Sequence, residues 1–148
     1  MERNRGASWA PAGSGRGIRP GFAGPDASYR PNWEAWERII DENGIEIDRP
    51  IGSVHPKWPE ITYPIDYGFV KGTLGTDGGE LDIFLGTDTN GLVAAIFTVD
   101  YRRGDRECKL LYNCTPAEIY LVHGFANFEP TKMQGTMVMR RPMKELFS

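Results

Sequence analysis

"YPIDYGFVKGTLGTDGGELDIFLG", residues 63–86, sets two aromatic and apolar runs on either side of a glycine-rich acidic turn. The runs at 67–71 and 81–85 have the composition and length of strands. Between them Asp77 and Asp82 flank Gly78-Gly79, a pair that lets the backbone reverse and brings both carboxylates to one mouth. Clustered carboxylates repel. They are tolerated when solvated, when some protonate, or when a hard cation neutralises them, and Mg²⁺ is the usual cation where phosphate is the substrate.

Working outward, further short strands read at 45–49, 92–99 and 107–112, with "TMVMRR" at 136–141 as a final one. Many short strands separated by turns predict a small barrel. A helix is expected to start at the N-cap Asn32, with Glu34 and Glu37 in its first turns, and to close at Gly44. Trp33, Trp36 and Ile40 recur along it at helical spacing, as a stripe facing a core does. "TPAE" at 115–118 supplies a capping box, Thr115 to Glu118, with Pro116 at the first helical position, and Ile119, Val122, Phe125 and Ala126 continue one apolar face. The fold class expected is α+β, two principal helices flanking a small barrel.

At 148 residues and 40% hydrophobic, the chain suffices for one domain with a core, assigned to 32–148. Residues 1–31 are rich in Gly, Pro, Ala and Arg without apolar periodicity, and read as a disordered tail that cannot offset its ordering entropy. The arginines of that tail, Arg3, Arg5, Arg16, Arg19 and Arg30, are scattered rather than clustered. With a net charge of −3 the chain has no general attraction for nucleic acid, so no nucleic-acid partner is expected. No membrane partner is expected either, because no apolar run approaches the ~20 residues of a span and no signal segment follows the N-terminal arginines. Cys108 and Cys114 lack metal or disulfide-framework spacing and are read as reduced thiols of a cytoplasmic protein.

The same central run resembles the soluble inorganic pyrophosphatase family, whose corresponding segment has the form Y-P-x-N-Y-G-[FY]-x-x-x-T-L-x-x-D-G-D-P-x-D. Tyr63, Pro64, Tyr67, Gly68, Phe69, Thr73, Leu74, Asp77, Gly78 and Asp82 fall in register with it. Upstream, "DRPIGSVHPKW" resembles the family's E-I-P…K-Y segment through Asp48, Pro50 and Lys57; downstream, "VDYRRGDRECK" resembles its acidic stretch ending D-x-K through Glu107 and Lys109, with Asp100 or Asp105 as the other acid.

The resemblance implies a five-stranded OB-like barrel with outer helices and Mg²⁺-dependent hydrolysis of pyrophosphate or a related phosphoanhydride by a two-metal-activated water. It implies Asp77, Asp82, an acid among Asp100, Asp105 and Glu107, and Asp48 around metal, with Lys57, Lys109 and Tyr67 on phosphate. The partner is a small phosphate substrate, with a homo-oligomer left open. The family's middle aspartate, given the role of general base, falls on Gly79, and the neighbouring Glu80 is the candidate to replace it. A phosphate-binding arginine and a Tyr-Lys pair of the family also have no counterpart. Arg102, Arg103, Arg106 and Lys71 are the alternative anion contacts, and His55 and His123 read as surface or core residues. These departures keep a second function open: a metal- or phosphate-binding module on the same fold without turnover.

Overall fold

The structure, a computed structural model, describes residues 25, 29–73 and 80–147. The expectation of a disordered tail lies outside the described residues except at Pro25, Tyr29, Arg30 and Pro31, and the Asp77, Gly78 and Gly79 turn lies outside them altogether. Tyr29 packs on the fold, its ring 5.3 Å from that of Phe97 and edge-on to it.

Helix α1 (Trp33–Asn43) forms where its caps require. The Asn32 side chain accepts from the Ala35 N–H, and Gly44, at φ 81°, donates its N–H to the Ile40 carbonyl. Strands β1 (Ile45–Arg49), β2 (Asp66–Val70), β3 (Asp82–Leu85), β4 (Leu92–Asp100) and β5 (Asp105–Tyr112) follow, then α2 (Pro116–Ala126) and β6 (Met133–Met139). The capping box of α2 is present in both directions. The Glu118 carboxylate also accepts from the Thr87 N–H and hydroxyl, tying the β3–β4 loop to the helix.

The six strands form one mixed sheet in the order β1-β2-β3-β5-β4-β6, so the fold is α+β. Only β3 and β5 pair in parallel; the other ladders are antiparallel. The sheet has six strands rather than five and stays open: among the described residues no ladder joins β1 to β6. The β4–β5 hairpin inserts β5 beside β3, which leaves β1 and β6 as edges. Strand β6 begins three residues before the expected 136, because its ladder with β4 runs on to Met133 opposite Asp100. Gly135 permits this approach: a Cβ there would lie 2.8 Å from the Ala126 Cβ and 2.9 Å from Ile96 Cδ1.

Alternation along the strands divides the sheet into two faces. One face carries Tyr67, Phe84, Ala94, Ile96 and Leu111, covered by Ile119, Val122 and Ala126 of α2. The other carries Val70, Ile83, Ala95, Phe97, Cys108 and Leu110, covered by Ile40 of α1 with Trp33 and Trp36 beside it. Gly68 is where β1 crosses β2 most closely, since a Cβ would fall 1.8 Å from the Glu46 carbonyl oxygen. Both cysteines are buried free thiols. Burial pushes each up to about 12, so neither is a thiolate at neutral pH.

Candidate functional site

The α2 face carries Asp82, a carboxylate buried among the described residues. Asp82 lies on the same side of β3 as Phe84, Lys109 on the same side of β5 as Leu111, and the two pair across the parallel ladder. Tyr67 is the cross-strand partner of Phe84, which sets its ring diagonally beside Asp82. Three neighbouring strands therefore deliver one cluster. The Tyr67 hydroxyl donates to Asp82 Oδ2 at 2.6 Å. Lys109 Nζ lies 2.9 Å from Asp82 Oδ2, 2.9 Å from the Tyr67 oxygen and 2.8 Å from Glu107 Oε2. An ammonium has three N–H donors, and here each has an acceptor.

Burial alone would lower the Lys109 pKa, but the attraction of Asp82, then Glu107 and Tyr67, outweighs it and holds the pKa well above the usual lysine value. Lys109 is a fixed positive charge. Asp82 is only 2% exposed, so its charge is tolerable only beside such a cation.

Arg49 reaches this cluster through a break in the β1 ladder. Ile47 pairs with Gly68, the register then shifts, and Arg49 pairs with Tyr67. The extra residue turns Arg49 onto the Tyr67 face, as a bulge re-aims a side chain. Its guanidinium lies 5.4 Å from the centre of the Tyr63 ring and 5.7 Å from that of Tyr67, and it donates to the Tyr63 hydroxyl.

At the outer end Asp100 and Asp105 stand opposite each other where β4 turns into β5. Like charges across a ladder repel, and the turn relieves them with arginines. Arg102 Nε lies 3.6 Å from Asp100, and Arg103 Nε 3.0 Å from Asp105. The Arg102 guanidinium also sits 4.4 Å from the centre of the Trp58 ring. These groups, with His55, Thr98 and Phe125, line a cleft of about 110 Å³, room for several waters or a small anion.

Of the residues singled out in the sequence, Tyr67, Asp82, Asp100, Asp105, Glu107 and Lys109 line the cleft, as do Arg102 and Arg103. Asp48, Lys57, Lys71, Glu80, Arg106 and His123 do not line it. Asp77 is outside the described residues. Arg49, Trp58 and Thr98 were not anticipated as cleft residues, and His55, read as a surface or core residue, lines the cleft.

The described residues do not fit a magnesium centre. Among them no three His, Cys, Asp or Glu side chains converge so as to hold a metal ion. Each of the four carboxylates lining the cleft already has a cation: Lys109 for Asp82 and Glu107, Arg102 for Asp100, Arg103 for Asp105. A metal at Asp82 Oδ2 would compete there with the Lys109 ammonium and the Tyr67 hydroxyl.

No protein-family model matches the chain, and no curated protein matches it. Among solved structures, an inorganic pyrophosphatase from Coxiella burnetii is similar with a TM-score of 0.45 and 18% identity, over 70% of this chain and 88% of that one. An inorganic phosphatase from Anaplasma phagocytophilum is similar with a TM-score of 0.39 and 14% identity, over 66% of this chain and 79% of that one. At these values neither likeness bears on the chemistry.

Proposed function

We propose that the chain binds a small phosphorylated anion of the diphosphate class in this cleft, without a metal and without turnover. The observation that carries the reading is the complete pairing of the cleft's four carboxylates with side-chain cations. The pairs differ in strength. Arg103 and Asp105 have half-exposed side chains, at 51% and 41%, and exposed pairs of this kind contribute only about 0–1 kcal/mol. An arriving phosphate therefore competes best for Arg103, with Arg102 beside it in a less exposed pair, and the planar fork of a guanidinium matches phosphate oxygens two at a time. The buried Lys109–Asp82 pair stays in place and gives the cleft floor a fixed shape.

Melting with and without inorganic pyrophosphate, in EDTA, tests the reading. The ligand should raise Tm, by the equivalent of about 2.7 kcal/mol at a hundred times its Kd. Arg103→Ala should weaken the effect. No shift in EDTA at any concentration would sink the proposal.

The second reading, Mg²⁺-dependent hydrolysis of a phosphoanhydride, is favoured by one specific observation: Tyr67, Asp77, Asp82 and Lys109 stand in register with the pyrophosphatase pattern. It depends on Asp77. Phosphate release from pyrophosphate with Mg²⁺, abolished by Asp77→Asn, would put this reading in place of the first.

A further inference from the structure

Beside the polar cleft lies a larger groove of about 440 Å³, walled by Tyr120, Leu121 and Phe125 of α2, Phe128, and Ile61 and Pro64 of the loop before β2. Its volume falls in the roughly 300–1,000 Å³ range of small-molecule sites, and its walls are mostly apolar. Tyr120, Leu121 and Phe128 are 64%, 51% and 77% exposed, an unusual concentration for large apolar side chains on one helix face and its exit. The groove adjoins the cleft directly: Ile61, Arg102, Phe125 and Met133 line both.

We propose that the two spaces form one site for an amphipathic diphosphate ester, its charged head in the cleft and its unbranched or isoprenoid-like tail in the groove. The inference rests on the anion reading above and specifies the ligand class. The available cation sets the orientation. In the cleft Arg49, Arg102, Arg103 and Lys109 balance Asp82, Asp100, Asp105 and Glu107, and Arg103, in a half-exposed pair, can turn to a phosphate; the groove beyond the shared Arg102 is walled by the aliphatic and aromatic side chains of α2 and Phe128, with the exposed Glu60, Glu129 and Lys132 also lining it. A tail lying there removes apolar surface of both ligand and protein from water, and each buried methylene strengthens binding by about fourfold. A free inorganic diphosphate would leave that groove wet.

Gly124 gives a way to close the groove without touching the cleft. It lies on the exposed side of α2 among the groove residues, and a Cβ added there meets nothing within 4 Å. Gly124→Trp therefore fills the tail space while sparing the helix backbone. Phe128→Ser removes part of the wall instead and serves as the second variant, since Phe128 is exposed and outside both core clusters.

Calorimetric titration of the full chain in EDTA with octyl diphosphate, inorganic pyrophosphate and 1-octanol reads the proposal. Octyl diphosphate should bind at least about tenfold more tightly than pyrophosphate, given the worth of several buried methylenes. Gly124→Trp should abolish that advantage and Phe128→Ser reduce it, with pyrophosphate affinity unchanged in both. Pyrophosphate binding as tightly as octyl diphosphate, or an advantage that persists in both variants, overturns the inference while the anion reading stands. Binding of 1-octanol with neither diphosphate overturns both.

Discussion

The two faces of the sheet come from the same strands, yet one is sealed and the other is open. On the α1 side, Val70, Ile83, Phe97, Cys108 and Leu110 are buried in an apolar cluster, with Arg106 further along β5 on the same side, and α1 closes over them with an outward face of Glu34, Arg38, Asp41 and Glu42. On the α2 side the apolar cluster, which includes the Tyr67 ring, covers only part of the sheet, and Asp82, Glu107 and Lys109 lie outside it. Helix α2 is as long as α1, 11 residues, but its outer face is apolar. The contrast locates the site: among the described residues the buried carboxylate Asp82 and its partner Lys109 lie on the α2 face, which also has an apolar rim and so has room for something else.

Buried groups on each face should show the largest effects. Phe97→Ala on the sealed face leaves a cavity and should cost about 3–5 kcal/mol in urea unfolding. Lys109→Met should cost a comparable amount, about 3–5 kcal/mol, for a different reason: it strands the Asp82 carboxylate in the interior. Adding Asp82→Leu should recover most of the Lys109→Met loss. If the double variant is no more stable than the single one, the two faces are held by packing alone and the contrast collapses.

The helix anchors come next. Thr115→Ala should cost about 1–2 kcal/mol, at the upper end of cap losses, because the hydroxyl that accepts from the Glu118 N–H is lost and the first turn that holds the Glu118 carboxylate against the Thr115 N–H and the Thr87 loop loosens with it. Asn32→Ala on α1, whose side chain makes a single capping bond, should cost about 0.5–1 kcal/mol. Equal losses would show that the Thr87 tie adds nothing.

Glu118 makes the α2 anchor sensitive to acid. Burial would raise its pKa, but the hydrogen bonds from Thr115 and Thr87 outweigh this and lower it below the usual glutamate value. A depressed carboxyl contributes stability above its unfolded pKa and loses it as pH falls through the folded value. The Tm difference between the natural chain and Glu118→Gln should therefore be full near neutral pH and shrink below about pH 4. A difference that stays constant down to pH 3 would contradict the assignment. The smallest effect belongs to the open rim, where Leu121→Lys should change stability by less than about 0.5 kcal/mol. A larger loss would mean that the rim is part of the core after all.

Local chemistry made much of this legible. Asn32 and Gly44 bound α1 as expected, and the Thr115–Glu118 box with Pro116 placed the start of α2, because caps satisfy backbone groups within a few residues of themselves. Strand β1 at 45–49 also matched, while β5 began two residues earlier than its apolar run suggested and β6 three residues earlier. In both cases a partner ladder extends the strand past residues of low strand propensity: β5 pairs through Arg106 and Asp105, β6 through Gln134 and Gly135. The expected apolar face of α2, Ile119, Val122, Phe125 and Ala126, leaves out Tyr120 and Leu121, which are apolar too and stand exposed. Nothing local reveals that one side is left exposed.

The sequence by itself determined the two helices, most of the strands, and the facing of residues along the regular stretches of those strands, since these depend on capping, turn chemistry and a period of two. It also determined that Tyr67, Asp82 and Lys109 belong to polar positions in otherwise apolar strands. Only the tertiary structure decided that these three meet, because strand order is a long-range choice and β5 inserts next to β3 rather than following in turn. It likewise decided Arg49. Simple alternation from Ile45 and Ile47 would send that side chain to the α1 face, and the one-residue shift in the β1–β2 ladder turns it to the cleft. A bulge is fixed by the fit of a strand to its neighbour, and no residue of β1 alone encodes that fit.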